Sequence, residues 1–305
     1  MLPHDVLVVG ESLVDVVHDA GGVAEHVGGS AANVAVALSR LGVPTMLATR
    51  VGSDERGRRI LDHLRANAVE LYGDPVGPSP TSTATARIGS DGAATYTFDL
   101  AWDLPPVEIT GVPSAVHVCS IGAVLAPGCS AVLDLVERVA GRAAVSYDLN
   151  LRPQITGLGT DVRERIASLV VAADVVKASD EDLALFDPHR DVDEVARRLL
   201  AAGPAAVVVT RGGAGATWFS RDGSCDVPVP RVEVVDTVAA GDTFGATVIA
   251  ELAERGLLGP GAGERLADLP VDARTDVLRR AAAAAAVTVS RAGADPPYRA
   301  ELADA

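Results

Sequence analysis

Short apolar runs that end in glycine or a polar turn recur along this chain, and a helical pattern follows most of them. Val6-Leu7-Val8-Val9-Gly10, Val116-His117-Val118-Cys119-Ser120-Ile121-Gly122, Ala144-Val145-Ser146-Tyr147-Asp148 and Val207-Val208-Val209-Thr210 are runs of this kind. Apolar runs of strand length read as buried parallel strands covered by helices. The alternation predicts one three-layer α/β domain over residues 1–305 with a mostly parallel central sheet. No internal repeat, low-complexity tail or long linker divides it.

One stretch departs from the pattern. From Ser82 to Asp99, small, β-branched and aromatic residues alternate around Asp91-Gly92, the period-two signature of a hairpin. The more polar Glu11 to His18 reads as an edge strand. Helices are expected over Arg59 to Asn67, Ala131 to Ala140 and Arg279 to Val289, with Ser53 or Asp54 capping the first.

Charge limits the partners. A formal net charge of −15 sets the surface against nucleic acid and anionic membranes, so a site for a phosphorylated ligand must be built locally. Lys177 is the only lysine in the chain. A Walker loop needs Gly-Lys-Ser/Thr and a protein kinase needs its strand lysine with further motifs, and neither pattern occurs. If ATP is used, backbone amides, arginine and a metal ion must hold it. Three cysteines, Cys119, Cys129 and Cys225, have no metal-ligand spacing and fit reduced thiols. No basic and apolar leader precedes the first strand, so a cytoplasmic protein is expected.

Asp236-Thr237-Val238-Ala239-Ala240-Gly241-Asp242 is the stretch with chemistry in it. Val232 to Val235 reads as a strand before it, and the apolar periodicity of Thr243 to Leu252 reads as a helix after it. A tight loop opening a helix aims N–H groups and the positive end of the helix dipole at one point, which suits a phosphate. Asp242 places a carboxylate there, where an acceptor hydroxyl could lose its proton. An ordinary N-capped helix after a turn would have the same outline.

The loop resembles the second signature of the ribokinase or PfkB family of sugar and nucleoside kinases, Asp-Thr-x-Gly-Ala-Gly-Asp. Ala239 stands where that family usually has glycine; a positive φ there would strain the alanine by about 1 kcal/mol. The resemblance implies Asp242 as base and the N–H groups of Ala239, Ala240, Gly241 and Asp242 as an anion hole. Each donor is worth ~2.7–4 kcal/mol by analogy with an oxyanion hole.

Other stretches resemble the same family. Val27-Gly28-Gly29-Ser30-Ala31-Ala32-Asn33 is similar to its first signature and implies that Gly28, Gly29 and Asn33 hold the acceptor, with Asp15 binding hydroxyls. Asp148-Leu149-Asn150-Leu151-Arg152 resembles a segment of fructokinases and 2-keto-3-deoxygluconate kinases at a strand end. At least one of its polar residues is expected in the site, foremost Arg152 as a cation. Lys177-Ala178-Ser179-Asp180-Glu181-Asp182 is similar to the Lys-x-Asn-x-x-Glu segment, with Ser179 and Asp182 replacing Asn and Glu. It implies Lys177 and Ser179 at the nucleotide and Asp182 at Mg²⁺ through water. Thr210, Gly212 and Gly215 would line the nucleotide. Asp236, Val238, Thr288, Arg291 and Gly293 would form a site for a monovalent cation such as K⁺. A small β-sheet lid is implied over about 12–27 and 82–102, and a homodimer through that lid.

The resemblance thus implies a ribokinase-like domain of the fructokinase branch, phosphorylating a hydroxymethyl group of fructose or a similar neutral ketohexose with Mg-ATP. The Ser120 to Pro127 stretch lacks the glutamate expected of ribokinases, and Tyr96 to Asp99 lacks an arginine for a sugar-acid carboxylate. A kinase for 2-keto-3-deoxygluconate or a nucleoside is the alternative enzyme. A non-catalytic sugar- or nucleotide-binding protein on the same fold is the alternative of another class.

Overall fold

The computed structural model describes residues 6–19, 21–89 and 94–302. In chain order, β1 is Val6–Val9, β2 Leu13–Asp19 and β3 Gly22–Gly28, followed by α1, Ser30–Arg40. Next come β4 Thr45–Ala48, β5 Val51–Gly52, α2 Glu55–Ala66, β6 Glu70–Leu71 and β7 Val76–Gly77. A hairpin of β8, Thr83–Ile88, and β9, Ala94–Asp99, precedes β10, Ala115–Cys119. Then follow α3 Ser120–Val124, α4 Cys129–Val139, β11 Ala144–Asp148, α5 Pro153–Thr156, α6 Thr160–Ala172 and β12 Val175–Ser179. α7 Asp180–Phe186, α8 Val192–Ala202, β13 Ala206–Thr210, β14 Ala216–Ser220 and β15 Gly223–Val227 continue the chain. It closes with α9 Ala240–Glu254, α10 Ala262–Ala267 and α11 Val271–Val289.

The large sheet has nine strands in the order β15-β14-β13-β12-β11-β10-β1-β4-β6. Pairings from β13 across to β6 are all parallel; β14 and β15 extend the sheet antiparallel. Side-chain alternation gives the three layers. Val6 and Val8 of β1 enter the core under α1, α9 and α11, with Val34, Leu38, Val248, Ile249 and Leu278. Leu7 and Val9 enter the opposite core under α4, α6 and α8, with Leu135, Ile166 and Leu199. Each such side chain is worth about 1.5–3 kcal/mol on burial.

A second sheet has the order β3-β2-β8-β9. The Leu13 to Val27 segment and the 82–102 hairpin therefore lie in one small sheet. β2 is an interior strand of it, not the edge strand its polarity suggested, because β3 covers one side and β8 the other. The Asp91-Gly92 turn lies outside the described residues.

Three further expectations change. Val232 to Val235 is not a strand: Val234 and Val235 are 61% and 58% exposed, and the Val235 N–H donates to Val289 O at the end of α11. A β-branched run with no neighbouring strand has no ladder to join. The last helix starts at Val271, eight residues before Arg279, behind Pro270. α2 starts at Glu55, with Asp54 as its cap through Gly57 N.

Candidate active site

Because β1, β10, β11, β12 and β13 run parallel and in register, their C-terminal ends share one edge of the sheet. Ligands of open α/β sheets bind beyond such an edge. Glu11, Ser120, Asp148, Asn150, Ser179 and Thr210 all lie at or just past it.

Asp242 occupies the first turn of α9 above that edge and is buried. Its Oδ1 accepts from Ser30 Oγ at 2.7 Å and its Oδ2 from Asn33 Nδ2 at 2.8 Å. Asn150 Nδ2 donates to Ser30 Oγ at 3.0 Å and lies 3.5 Å from Asp242 Oδ1. Among the described residues, the N–H groups of Ala239, Gly241 and Asp242 have no acceptor in the chain, whereas that of Ala240 reaches back to Thr237 O at 3.3 Å. Ala239 has φ 59°, in the left-handed region, so the alanine carries the strain anticipated for it.

Gly29 caps α1 with φ 101°; a Cβ there would meet Glu11 O at 2.6 Å and Ser12 Cα at 2.9 Å. Only glycine lets α1 start this close to the end of β1. Asp15 lies over Gly28, where a Cβ would stand 2.1 Å from its Oδ2. Burial pushes the Asp15 carboxyl up to about 6, with the nearby His26 pulling the other way.

Glu11 is the residue the sequence reading missed. It is buried, accepting from Ser30 N at 3.1 Å on one oxygen and from Gly122 N at 2.9 Å on the other. Burial pushes its carboxyl up to about 7 against those two donors. A carboxylate directly after a glycine that ends a buried strand was the available signal. Ser30, at the first position of α1, was also passed over.

Lys177 lies under the first turn of α9, next to Gly241. It is buried and paired with Asp148 Oδ2 at 2.7 Å. Burial works against its charge, but the surrounding carboxylates, Asp148 foremost with Asp182 and Asp242, together outweigh that and raise its pKa. Arg152 is solvent-exposed at the N-cap of α5, donating to Leu151 O. Ser179 pairs with Thr210 across the ends of β12 and β13. Gly212 is exposed at φ 49°, with open space where a Cβ would stand. Gly215 is required for packing, since a Cβ there would lie 2.1 Å from Val227 O.

Both oxygens of Asp182 are engaged by backbone N–H groups, Leu151 at 2.8 Å and Ser179 at 2.8 Å, and Ser179 Oγ closes a capping box with it. No group of three or more His, Cys, Asp or Glu side chains is placed to hold a metal among the described residues. Asp182, with both oxygens on backbone N–H groups and lone pairs to spare, fits an outer contact to Mg²⁺ through water, the hydration this ion keeps. Asp236 accepts from Val238 N at 3.0 Å and from Gly293 N at 2.9 Å, joining the loop before α9 to the segment after α11. Thr288 is buried against Thr243 Oγ1 at 3.1 Å, and Arg291 is paired with Asp295 and Glu301. No helix among the described residues is long and apolar enough to cross a membrane.

The chain is similar to a fructokinase of Rhizobium leguminosarum bv. trifolii, 34% identical over 267 residues that cover 83% of this chain and 81% of the relative. Its fold is similar to that of a Xylella fastidiosa fructokinase with bound ATP, at TM-score 0.84 and 26% identity over 99% of each chain. A double mutant of the Vibrio cholerae O395 fructokinase, with fructose, ADP and potassium ion bound, is similar at TM-score 0.80 and 25% identity, covering 98% of this chain and 96% of that one. The pattern of the pfkB family carbohydrate kinase matches residues 3–301. With a buried, helix-borne aspartate held at the sheet edge by Ser30 and Asn33, and that pattern running almost end to end, this chain belongs to the pfkB family of carbohydrate kinases.

Proposed function

We propose that this protein phosphorylates a hydroxymethyl group of fructose or a similar neutral ketohexose, with ATP as donor. The observation that carries the reading is Asp242, buried at the first turn of α9 beside unpaired N–H groups and hydrogen-bonded to Ser30 and Asn33 of the glycine-rich loop. The acceptor lies against Gly28 and Gly29, with Asp15 and Asn33 on its hydroxyls and Arg152 at the mouth. Asp242 takes the acceptor proton as the oxygen bonds to the γ-phosphorus and the bond to the β-phosphate oxygen breaks, leaving ADP. A loose transition state demands little of the base. The open N–H groups of Ala239, Gly241 and Asp242 face the charge that develops on the phosphoryl oxygens.

Ser179, Thr210, Gly212 and Gly215 line the nucleotide side, with Lys177 acting on the phosphates through the loop above it. Mg²⁺ supplies charge neutralisation at the phosphates, with Asp182 behind its water shell. The Asp236, Val238, Thr288, Arg291 and Gly293 cluster would take a monovalent cation, as suits a family in which one fructokinase structure holds potassium. The small sheet serves as a lid, and its exposed face, with Ile88 and with Tyr96 stacked near Phe98, suits a second copy of the chain. The reading puts the protein in the cytoplasm, where ATP is abundant.

The test is coupled ADP release with Mg-ATP over fructose, other neutral hexoses, pentoses, 2-keto-3-deoxygluconate and nucleosides, with Asp242→Asn in parallel. Fructose should give the highest kcat/KM, and Asp242→Asn should fold and lose nearly all turnover. Preference for a sugar acid or a nucleoside would replace the acceptor. Ligand binding without turnover would replace the enzyme by a binding protein.

A further inference from the structure

An aspartate at a helix N-terminus is a poorly oriented base unless something fixes it, because rotation about χ2 is soft. Here Asn33 Nδ2 holds Oδ2, and Oδ1 depends on Ser30. The Ser30 hydroxyl has one proton. It accepts from Asn150 Nδ2 at 3.0 Å, so its own proton is free for Asp242 Oδ1 at 2.7 Å. Asn150 itself is 3.5 Å from that oxygen, and therefore acts on the base chiefly through Ser30. Ser30 in turn is pinned by Glu11, which accepts its N–H at 3.1 Å and is itself held by Gly122 N.

We propose that Ser30 is a positioning residue for phosphoryl transfer: its hydroxyl, oriented by Asn150 and anchored through Glu11, holds the Asp242 carboxylate at the angle that receives the acceptor proton. The proposal rests on the sugar-kinase reading above. Without the hydroxyl, Oδ1 keeps only the long Asn150 contact, and the carboxylate turns away from the line of attack. Misplacement of a reacting group by about 1 Å costs on the order of 100-fold in rate. Among the described residues the side chain of Ser30 is hydrogen-bonded to Asp242 and Asn150, and not to the Thr210 to Gly215 segment or the N–H groups of the anion loop, so nucleotide binding should be unaffected.

The experiment is steady-state kinetics with fructose and Mg-ATP on wild type, Ser30→Ala, Ser30→Thr, Asn150→Ala and the Ser30→Ala/Asn150→Ala pair, with thermal melting of each. Ser30→Ala should lower kcat by about 10- to 100-fold, with both KM values within about threefold. Ser30→Thr should recover kcat, and adding Asn150→Ala to Ser30→Ala should cost little more, because both lie on one path. A Ser30→Ala enzyme within twofold of wild type would overturn the proposal. So would losses from Ser30→Ala and Asn150→Ala that simply multiply in the pair, or a loss confined to KM and melting temperature. If wild type itself turns over nothing in the panel, the kinase reading fails and takes the proposal with it; an active wild type with an unimpaired Ser30→Ala sinks the proposal alone.

Discussion

Lys177 and Asp148 are ion-paired at 2.7 Å directly beneath α9, with side chains 8% and 1% exposed. A Cβ on Gly241 would stand 3.5 Å from Lys177 Nζ and one on Gly245 3.3 Å from Lys177 Cδ. The ammonium thus underlies the first turns of α9, and glycines at these two positions leave it room. Removing one member of a buried pair strands the other, at a cost of about 3–5 kcal/mol. Asp148 Oδ1 already lacks a partner. Lys177→Met should therefore lose several kcal/mol in guanidinium unfolding, and adding Asp148→Asn should restore part of it. A double variant no more stable than the single one would show that the stranded charge is not the source.

Ala239 offers the opposite change. At φ 59° and ψ 10° it is an alanine in a glycine conformation. Ala239→Gly should raise stability by up to about 1 kcal/mol and leave turnover intact, because the N–H stays in place. Loss of turnover in this variant would mean that the methyl group itself shapes the phosphate site.

Glu11 predicts a pH dependence. Its folded pKa, about 7, lies above the ordinary 4.5, so between those values the folded state binds more protons than the unfolded one. Stability from this group is then complete below about pH 4.5 and is lost as pH rises to about 7, by up to roughly 3 kcal/mol. Asp15 and Asp148, also raised by burial, act in the same direction. Burial lowers the His117 pKa to about 3, which works in the opposite direction up to about pH 6.5. The Glu11 contribution is therefore read as the difference between wild type and Glu11→Gln in urea unfolding from pH 4.5 to 7.5, wild type losing more stability or gaining less as pH rises. Identical slopes in the two proteins would remove Glu11 as a cause.

Gly28→Ala tests the acceptor pocket. The new methyl would occupy the space of Asp15 Oδ2 and drive that carboxylate aside. KM for the sugar should rise about 10-fold or more while KM for ATP holds. An unchanged sugar KM would take Asp15 off the acceptor.

Much of the frame could be read directly from the chain. β1, β10, β11 and β13 are apolar runs of the length and ending that a covered parallel strand requires, and α9 carries its periodicity openly. What escaped depends on distance along the chain. The contact of Ser30 with Asp242 joins residues 212 apart, and that of Asn150 with Ser30 joins residues 120 apart. No local pattern marks such a pair. Val232 to Val235 misled for a related reason, since β propensity describes a residue's fit to a neighbouring strand and none is present there. The first half of α11 was overlooked because Asp272, Arg274 and Asp276 interrupt its apolar spacing, although Pro270 announced the start.

The hairpin of β2 and β3 leaves the central sheet after Glu11 and returns to it at Ser30, and the two roots are tied by the hydrogen bond from Ser30 N to Glu11. Everything between them is an excursion that starts and ends at one point of the sheet edge. That excursion is tied to the rest of the fold through Ser12 with Thr49, Glu25 with Arg56 and Arg59, and the pairing of β2 with β8. In the proposed reading this excursion carries only part of the acceptor contact, Asp15 and Gly28, while Asn33 on α1 joins acceptor and base and ties the two halves of the site together.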